Sequence, residues 1–229
     1  EPLSAQTIMQ YIGPDIFHPS PEFLFAKGAG PLFDMGPYYL TALIHIFGSV
    51  ESVAAVGSKS RATRIVQTGD RVGTEFTVEV PTHVSAIAQY VDGGVSQSVF
   101  SFDSPLAKMG VVEITGTEGT ILVPDPNRFT GDVKITRAPA LEAITDEAKW
   151  HTVPVQGVYA ERGIGVLDLA RAARDGGTPL ASGELALHVL DTMVAIDKAV
   201  TERRTVPVDS RTDRIPLVAD DFDPYAATL

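Results

Sequence analysis

Apolar and polar positions alternate with period two over much of the first 140 residues, which is the repeat of half-buried β-strands. Runs of this kind fall at 3–12, 51–58, 74–81, 82–91, 95–103, 110–116, 120–125 and 133–138, with a last short one in "TVPVDS" near 205–210. Turn residues separate them, and Asp92-Gly93-Gly94 reads as the tight loop of a hairpin. Strands joined by short turns without helices between them pair antiparallel, so the centre of the chain reads as a meander and not as a βαβ wind. The repeat changes to a helical one in three places. Leu40, Leu43, Ile44 and Phe47 form an apolar stripe after Pro37, with Tyr38, Thr41 and His45 on another face. A second helix is expected at 163–176, with Ile164, Leu167 and Ala170 spaced along it and Gly176-Gly177 as its stop. The third, 182–204, opens on Ser182 as N-cap and carries Leu185, Val189, Met193, Ile196 and Val200 on one stripe. Antiparallel strands with helices to one side are the α+β layer solution, in which one sheet face is covered and the other stays open. An open face of this kind predicts an oligomer.

Composition narrows the partners. The 229 residues are 44% hydrophobic, enough for a sizeable core, and 18 Lys+Arg against 29 Asp+Glu leave a formal charge of −11. Neither nucleic acid nor an anionic membrane is expected to bind such a surface. No apolar run approaches the roughly 18 residues of a membrane span. With zero cysteines there are no disulfides, thiolate metal sites or cysteine nucleophiles, which fits a cytoplasmic protein. The chain opens on "EPLSAQTIMQYI" without a Met and runs at once into a strand, the expected signature of a fragment. A polar tail, about 211–229, closes a single domain spanning 1–229.

The densest chemistry lies in "GAGPLFDMGPYYLTALIHIFG", residues 28–48. Asp34 stands one turn before Tyr38, where a carboxylate either caps the helix or does something else. Gly28, Gly30 and Gly36 permit close approach of another segment or of a ligand. No strand-to-helix G-x-G-x-x-G and no G-x-x-x-x-G-K-[ST] exists in the chain, so a phosphate cradle is not encoded. G-x-S-x-G is absent as well, as is any H-x-x-x-H or H-E-x-x-H spacing, and no metal site is expected.

That stretch resembles the segment following the nucleotide-binding domain in the glucose-fructose oxidoreductase and inositol dehydrogenase (Gfo/Idh/MocA) family, a glycine run followed by D-x-G-x-H. "EPLSAQ", "HPSPEF", "PTHVSAIAQYVDGGVSQSVFSFD", "ERGIGVLDLARAARDG" and "ASGELALHVLDTMVAI" extend the resemblance over nearly the whole chain. It implies an α+β domain, similar to the C-terminal domain of dihydrodipicolinate reductase, that binds substrate and holds an oligomer together through its open sheet face. It also implies a Rossmann domain, absent from this chain, that binds NAD or NADP, and a substrate of sugar, polyol or inositol type. In the family a lysine of the Rossmann domain works with the Asp and His of D-x-G-x-H. Asp34 matches the Asp, and Tyr38 stands where the His usually is. A tyrosine of ordinary pKa near 10 is a poor base at neutral pH and a reasonable hydrogen-bond donor. Tyr38 therefore either has a depressed pKa beside that lysine, or positions substrate, or belongs to a different reaction. Thr41 stands where a second acidic residue often follows.

Asp34 and Tyr38 are thus the expected catalytic residues, with His18, Thr41 and Arg162 as substrate contacts. His18 sits in the loop the resemblance places at the cleft mouth. Arg162 could clamp a hydroxyl with Asp168 orienting it, the alternative being a surface ion pair. His188 in the last helix reads as a core histidine satisfied by a hydrogen bond. The parent is expected to be an NAD(P)-dependent oxidoreductase, with this chain alone inactive. The alternative is a stand-alone, non-catalytic binding or assembly module of the same fold.

Overall fold

The computed structural model describes residues 1–137, 149–154, 159–218 and 222–226. Position 138 of the expected 133–138 strand and part of the polar tail lie outside them. Strands β1 (Pro2–Gln10), β2 (Val50–Ser58), β5 (His83–Tyr90), β6 (Val95–Ser101), β7 (Lys108–Gly116), β8 (Gly119–Val123), β9 (Lys134–Thr136), β10 (His151–Thr152) and β11 (Val206–Pro207) make one sheet. Its order is β10-β9-β8-β7-β1-β6-β5-β2-β11. The short pair β3 (Thr63–Ile65) and β4 (Glu75–Thr77) forms a second, two-stranded sheet.

The meander holds for β5–β6 and for β7–β8–β9 and fails between them. β1 lies between β6 and β7, parallel to the first and antiparallel to the second. No local turn could announce that pairing, because the partners of Ala5 are Ser96 on one side and Ile114 on the other. The expected strand at 74–81 shrinks to Glu75–Thr77 and pairs with β3, outside the main sheet. The hairpin after β5 is as expected: Gly93 and Gly94 both take positive φ, and Gly93 N–H donates to Tyr90 O.

Helices α1 (Gly30–Phe47) and α3 (Gly183–Glu202) cover one sheet face. Ser182 caps α3 by accepting from Leu185 N–H at 3.2 Å. Leu40, Leu43, Ile44 and Phe47 of α1 and Leu185, Val189, Met193 and Ile196 of α3 are all buried, against Met9, Val84, Ala86, Tyr90 and Phe100 of the sheet. Burial of each large side chain contributes roughly 1.5–3 kcal/mol before the entropy of ordering it. His188 is completely buried in α3: Nε2 accepts from Val50 N–H at 2.9 Å, which leaves Nδ1–H to donate to Ser210 Oγ at 3.0 Å. It is the core histidine its position implied. Helix α2 (Ile164–Asp175) buries none of its residues, so its apolar spacing is not matched by packing among the described residues. The opposite sheet face carries Val56, Ile87, Val95 and Gln97 in the open. No helix is long and apolar enough to cross a membrane.

Candidate functional site

The glycine-rich stretch becomes helical about two turns before Pro37, after which its apolar stripe placed the helix. Gly30 takes φ +85°, and a Cβ there would stand 3.0 Å from Val80 Cγ2 and 3.2 Å from Pro81 O, so only glycine makes the bend. Pro31 follows at the first helical positions, where a missing N–H costs nothing. Helix α1 therefore begins at Gly30 and runs through Pro37. Asp34 lies inside it and is not its cap, which removes the ordinary reason for a carboxylate at this place. Gly36 faces Met193 of α3 at 3.2 Å from its virtual Cβ, so this glycine serves packing.

On the helix surface Asp34, Tyr38, Thr41 and His45 share one side, and Met35, Tyr39, Leu43 and Phe47 point into the core. The adjacent tyrosines have separate tasks. Tyr39 is fully buried; its hydroxyl accepts from Gly110 N–H at 2.8 Å and donates to Asp125 Oδ1 at 3.4 Å, tying α1 to the start of β7. Tyr38 is 41% exposed and makes no hydrogen bond among the described residues. Asp34 is half-buried, and among the described residues no hydrogen bond or ion pair reaches its carboxylate. Burial without a partner raises its pKa, because desolvation penalises the charged form.

A group the sequence reasoning missed lies within reach of its charge. Tyr11 follows β1 on the same parity as Ala5, Thr7 and Met9, the buried helix-side residues of that strand. That alternation was legible and would have placed Tyr11 on the helix-covered side of the sheet. Its phenol has no hydrogen-bond partner among the described residues, and its ring stacks on Phe17 at 6.3 Å and meets Phe102 edge-on at 5.3 Å. Burial raises the Tyr11 pKa most, and the charges of Asp34 and Asp15 raise it further against the opposing pull of Arg64. A half-buried carboxylate thus lies within electrostatic reach of the Tyr11 phenol, and among the described residues neither polar group has a hydrogen-bond partner.

The backbone beyond Tyr11 is held by a buried ion cluster that the sequence reading also missed. Arg64 of β3 donates to Asp15 Oδ1 at 2.7 Å, Ile12 O at 2.8 Å, Phe102 O at 2.5 Å and Asp103 Oδ1 at 2.6 Å, with its guanidinium over the Phe25 ring at 5.0 Å. Burial pushes Asp103 up, but hydrogen bonds from Ser60, Thr82 and Arg64 outweigh it and hold this carboxyl below the usual range.

The substrate contacts expected from the sequence divide. Thr41 lies half-buried on the Asp34 side of α1. His18 belongs to the loop whose Phe17 stacks on Tyr11; its Nδ1 accepts from Ser20 N–H at 3.0 Å, and its ring meets Phe23 edge-on at 5.2 Å. Arg162 lies exposed before α2, without hydrogen bond or ion pair among the described residues. Asp168 does not orient it, because its Oδ2 accepts from Leu180 N–H at 2.7 Å. Among the described residues no group of three or more His, Asp or Glu side chains is placed to hold a metal.

The glycine-rich entry to α1 is not built as a phosphate loop. A 3₁₀ turn, Pro21–Phe25, precedes it where a phosphate loop needs a strand, Pro31 removes an amide, and Lys27, Glu79 and Asp197 line the adjoining cavity of about 430 Å³.

Comparison with known proteins decides the lineage. The profile of the GFO/IDH/MocA C-terminal domain matches residues 1–122. The chain belongs to the GFO/IDH/MocA family. Comparison with curated protein sequences finds no significant match. Among solved structures, the fold of this GFO/IDH/MocA domain is similar to that of levoglucosan dehydrogenase in its apo form, with TM-score 0.72 and 20% identity over 93% of this chain and 60% of that one. It is also similar to an NAD binding oxidoreductase from Klebsiella pneumoniae, with TM-score 0.70 and 19% identity over 91% and 59% of the two chains. Aldose-aldose oxidoreductase from Caulobacter crescentus complexed with glycerol gives TM-score 0.69 and 18% identity over 90% and 55%. The chain thus spans about 60% of the length of the structures it matches or less.

Proposed function

We propose that this GFO/IDH/MocA domain supplies the substrate side of an NAD(P)-dependent oxidoreductase acting on a hydroxyl of a sugar, polyol or inositol-like compound. The observation that carries the reading is Asp34: a half-buried carboxylate inside a helix, with no partner among the described residues, a raised pKa, Tyr38 one turn on and the Tyr11 phenol within reach of its charge. A carboxylate of this kind accepts the proton of a substrate hydroxyl better than an exposed one, because its affinity for a proton is higher. Tyr11 and Tyr38 donate hydrogen bonds that orient the same oxygen. The solved relatives support the substrate class, since they include levoglucosan dehydrogenase in complex with levoglucosan and with L-sorbose. The glycine-rich entry to α1 is not built as a phosphate loop, so Asp34 and its neighbours are assigned the hydroxyl and its proton alone.

The test is oxidation of sugars and polyols by the full-length protein, followed as reduced nicotinamide at 340 nm. Asp34→Asn is expected to lower kcat/KM by about 10²–10⁴ and Tyr38→Phe by less, since only the first removes a proton acceptor. Wild-type activity in Asp34→Asn would reject the assignment. The stand-alone, non-catalytic module is the reading left if the full-length protein reduces neither NAD nor NADP with any of these substrates.

The same reading assigns the open sheet face to contact between copies of the chain. Its support is the exposure of Ile87 (53%) and Val56 (70%) on neighbouring strands, with few charges between them. Ile87→Lys would then convert an oligomer into a smaller species in light-scattering chromatography, and an unchanged mass would reject that interface.

A further inference from the structure

The helical layer is one helix short. Helix α1 lies over β1, β5 and β6, and α3 lies over β2 and β11, which leaves the same face of β7, β8 and β9 without a helix among the described residues. That face is apolar all the same. Ile114, Ile121 and Ile135 are register partners in one row across the three strands, and Ile114 pairs in turn with Ala5 on the helix-covered side of β1. With Val123 and with Ile46 of α1 they line a hollow of about 510 Å³. Two strand spacings make its floor about 10 Å wide, the width of one helix. Layered folds fill such a place with a helix, because the side chains on it have no other way out of water.

One described helix lacks a seat. Helix α2 buries none of its residues, yet Val166, Leu169, Ala170 and Ala173 fall at i, i+3, i+4 and i+7 and form an apolar stripe, with Val166 72% and Leu169 55% exposed. Asp168 Oδ2 accepts from Leu180 N–H, and Arg171 Nη2 donates to Pro224 O and Ala226 O. These bonds hold α2 beside the tail and the start of α3, and no α2 residue lines the hollow. Stripe and hollow therefore stay apart within one copy.

Their charges are complementary. Glu118 and Arg137 stand together on the rim of the hollow, since Arg137 lies against Gly119, and Glu161 and Arg162 stand just before α2. Glu118, Arg137 and Arg162 have no hydrogen bond or ion pair among the described residues, and Glu161 accepts only from the Tyr159 hydroxyl. We propose that α2 of a second copy of this chain occupies the hollow, with its Arg162 at Glu118 and its Glu161 at Arg137, and that the contact is returned by the first copy. Burial of the stripe supplies the affinity and the rim charges fix the register. Such a contact is isologous and closes after two copies. It is separate from the open sheet face, and it does not depend on the reading of Asp34.

The chain has no cysteine, so introduced cysteines report the contact without background. Tagged full-length Leu169→Cys is mixed with untagged Ile121→Cys and oxidised with copper phenanthroline. Val166→Cys and Ile135→Cys give three further pairings, so the result does not hang on the geometry of one pair. A mixed disulfide dimer is expected in at least one pairing, and none with Val56→Cys, which lies on the opposite sheet face. Leu169→Lys stands at an exposed position and leaves the fold intact; it is expected to lower the yield from the Val166→Cys pairings about tenfold. Glu118→Arg is expected to lower it as well, and adding Arg162→Glu to the same chain to restore it. No mixed dimer in any pairing would overturn the proposal, as would a yield that neither Leu169→Lys nor Glu118→Arg changes. So would a disulfide formed only within one chain carrying both cysteines, or an Ile121→Cys thiol shielded from maleimide in a monomer, since a segment of the same chain would then fill the hollow.

Discussion

A carboxylate kept for chemistry should cost stability, and Asp34 allows that cost to be measured. Its side chain is half-buried in α1 and receives no hydrogen bond or cation among the described residues, so ionisation in the folded state goes uncompensated. Asn has nearly the same shape and no charge. Burying an uncompensated polar group costs about 1–3 kcal/mol in proteins, and partial exposure reduces this to about 0.5–1 kcal/mol for Asp34. Asp34→Asn should therefore stabilise the protein at pH 8 by that amount, or about 1–3 °C in Tm for a domain of this size. The sign follows from linkage. Burial raises the folded-state pKa above the unfolded value near 3.9, so the folded protein binds the Asp34 proton more tightly than the unfolded chain does. The contribution of Asp34 is thus most favourable below pH 4 and is lost as pH rises through the folded-state pKa. The advantage of Asn should accordingly be full at pH 8 and shrink as the pH falls toward 4. Urea unfolding of wild-type and variant at pH 8, 6 and 4 reads this directly. A variant less stable by more than about 1 kcal/mol at pH 8 would show that Asp34 is held by structure, and the argument that it is free for substrate would fail.

Three further outcomes are expected. Arg64→Met should cost about 3–5 kcal/mol in urea unfolding, because it leaves Asp15 and Asp103 without their shared cation in a buried site; a loss under 1 kcal/mol would refute the cluster's role. Tyr39→Phe should cost about 1–2 kcal/mol and speed hydrogen exchange at Gly110, whose N–H loses its acceptor. Burial, with the nearby Arg211 charge, lowers the His188 pKa, so below the unfolded value near 6.5 the unfolded chain binds the extra proton and stability falls. The unfolding free energy should drop between pH 7 and pH 5, and His188→Asn should flatten that segment; an unchanged slope would reject it.

Local rules reached most of the elements and part of the site. Period-two runs located β1, β2 and β5 to β8, period 3.6 with Ser182 located α3, and the 28–48 stretch singled out Asp34 and Tyr38. These depend on neighbours within a few residues, where side-chain direction follows from the backbone repeat alone. Helix α1 begins about two turns before the helix read after Pro37, because its start is made by Gly30 meeting Val80 and Pro81, some 50 residues on. The insertion of β1 between β6 and β7 was likewise invisible, since its partners lie about 90 and 110 residues away.

What the sequence determined by itself was the α+β layering, the open sheet face and the helix that carries Asp34 and Tyr38 on one side, because burial periodicity is a local property. Only tertiary structure decided that Asp34 caps nothing, that Tyr11 lies within reach of its charge, that Tyr39 is buried and hydrogen-bonded while Tyr38 is exposed, and that Arg64 braces the loop bearing Phe17. Each of these depends on which distant segment supplies, or withholds, a hydrogen-bond partner in a place water reaches poorly.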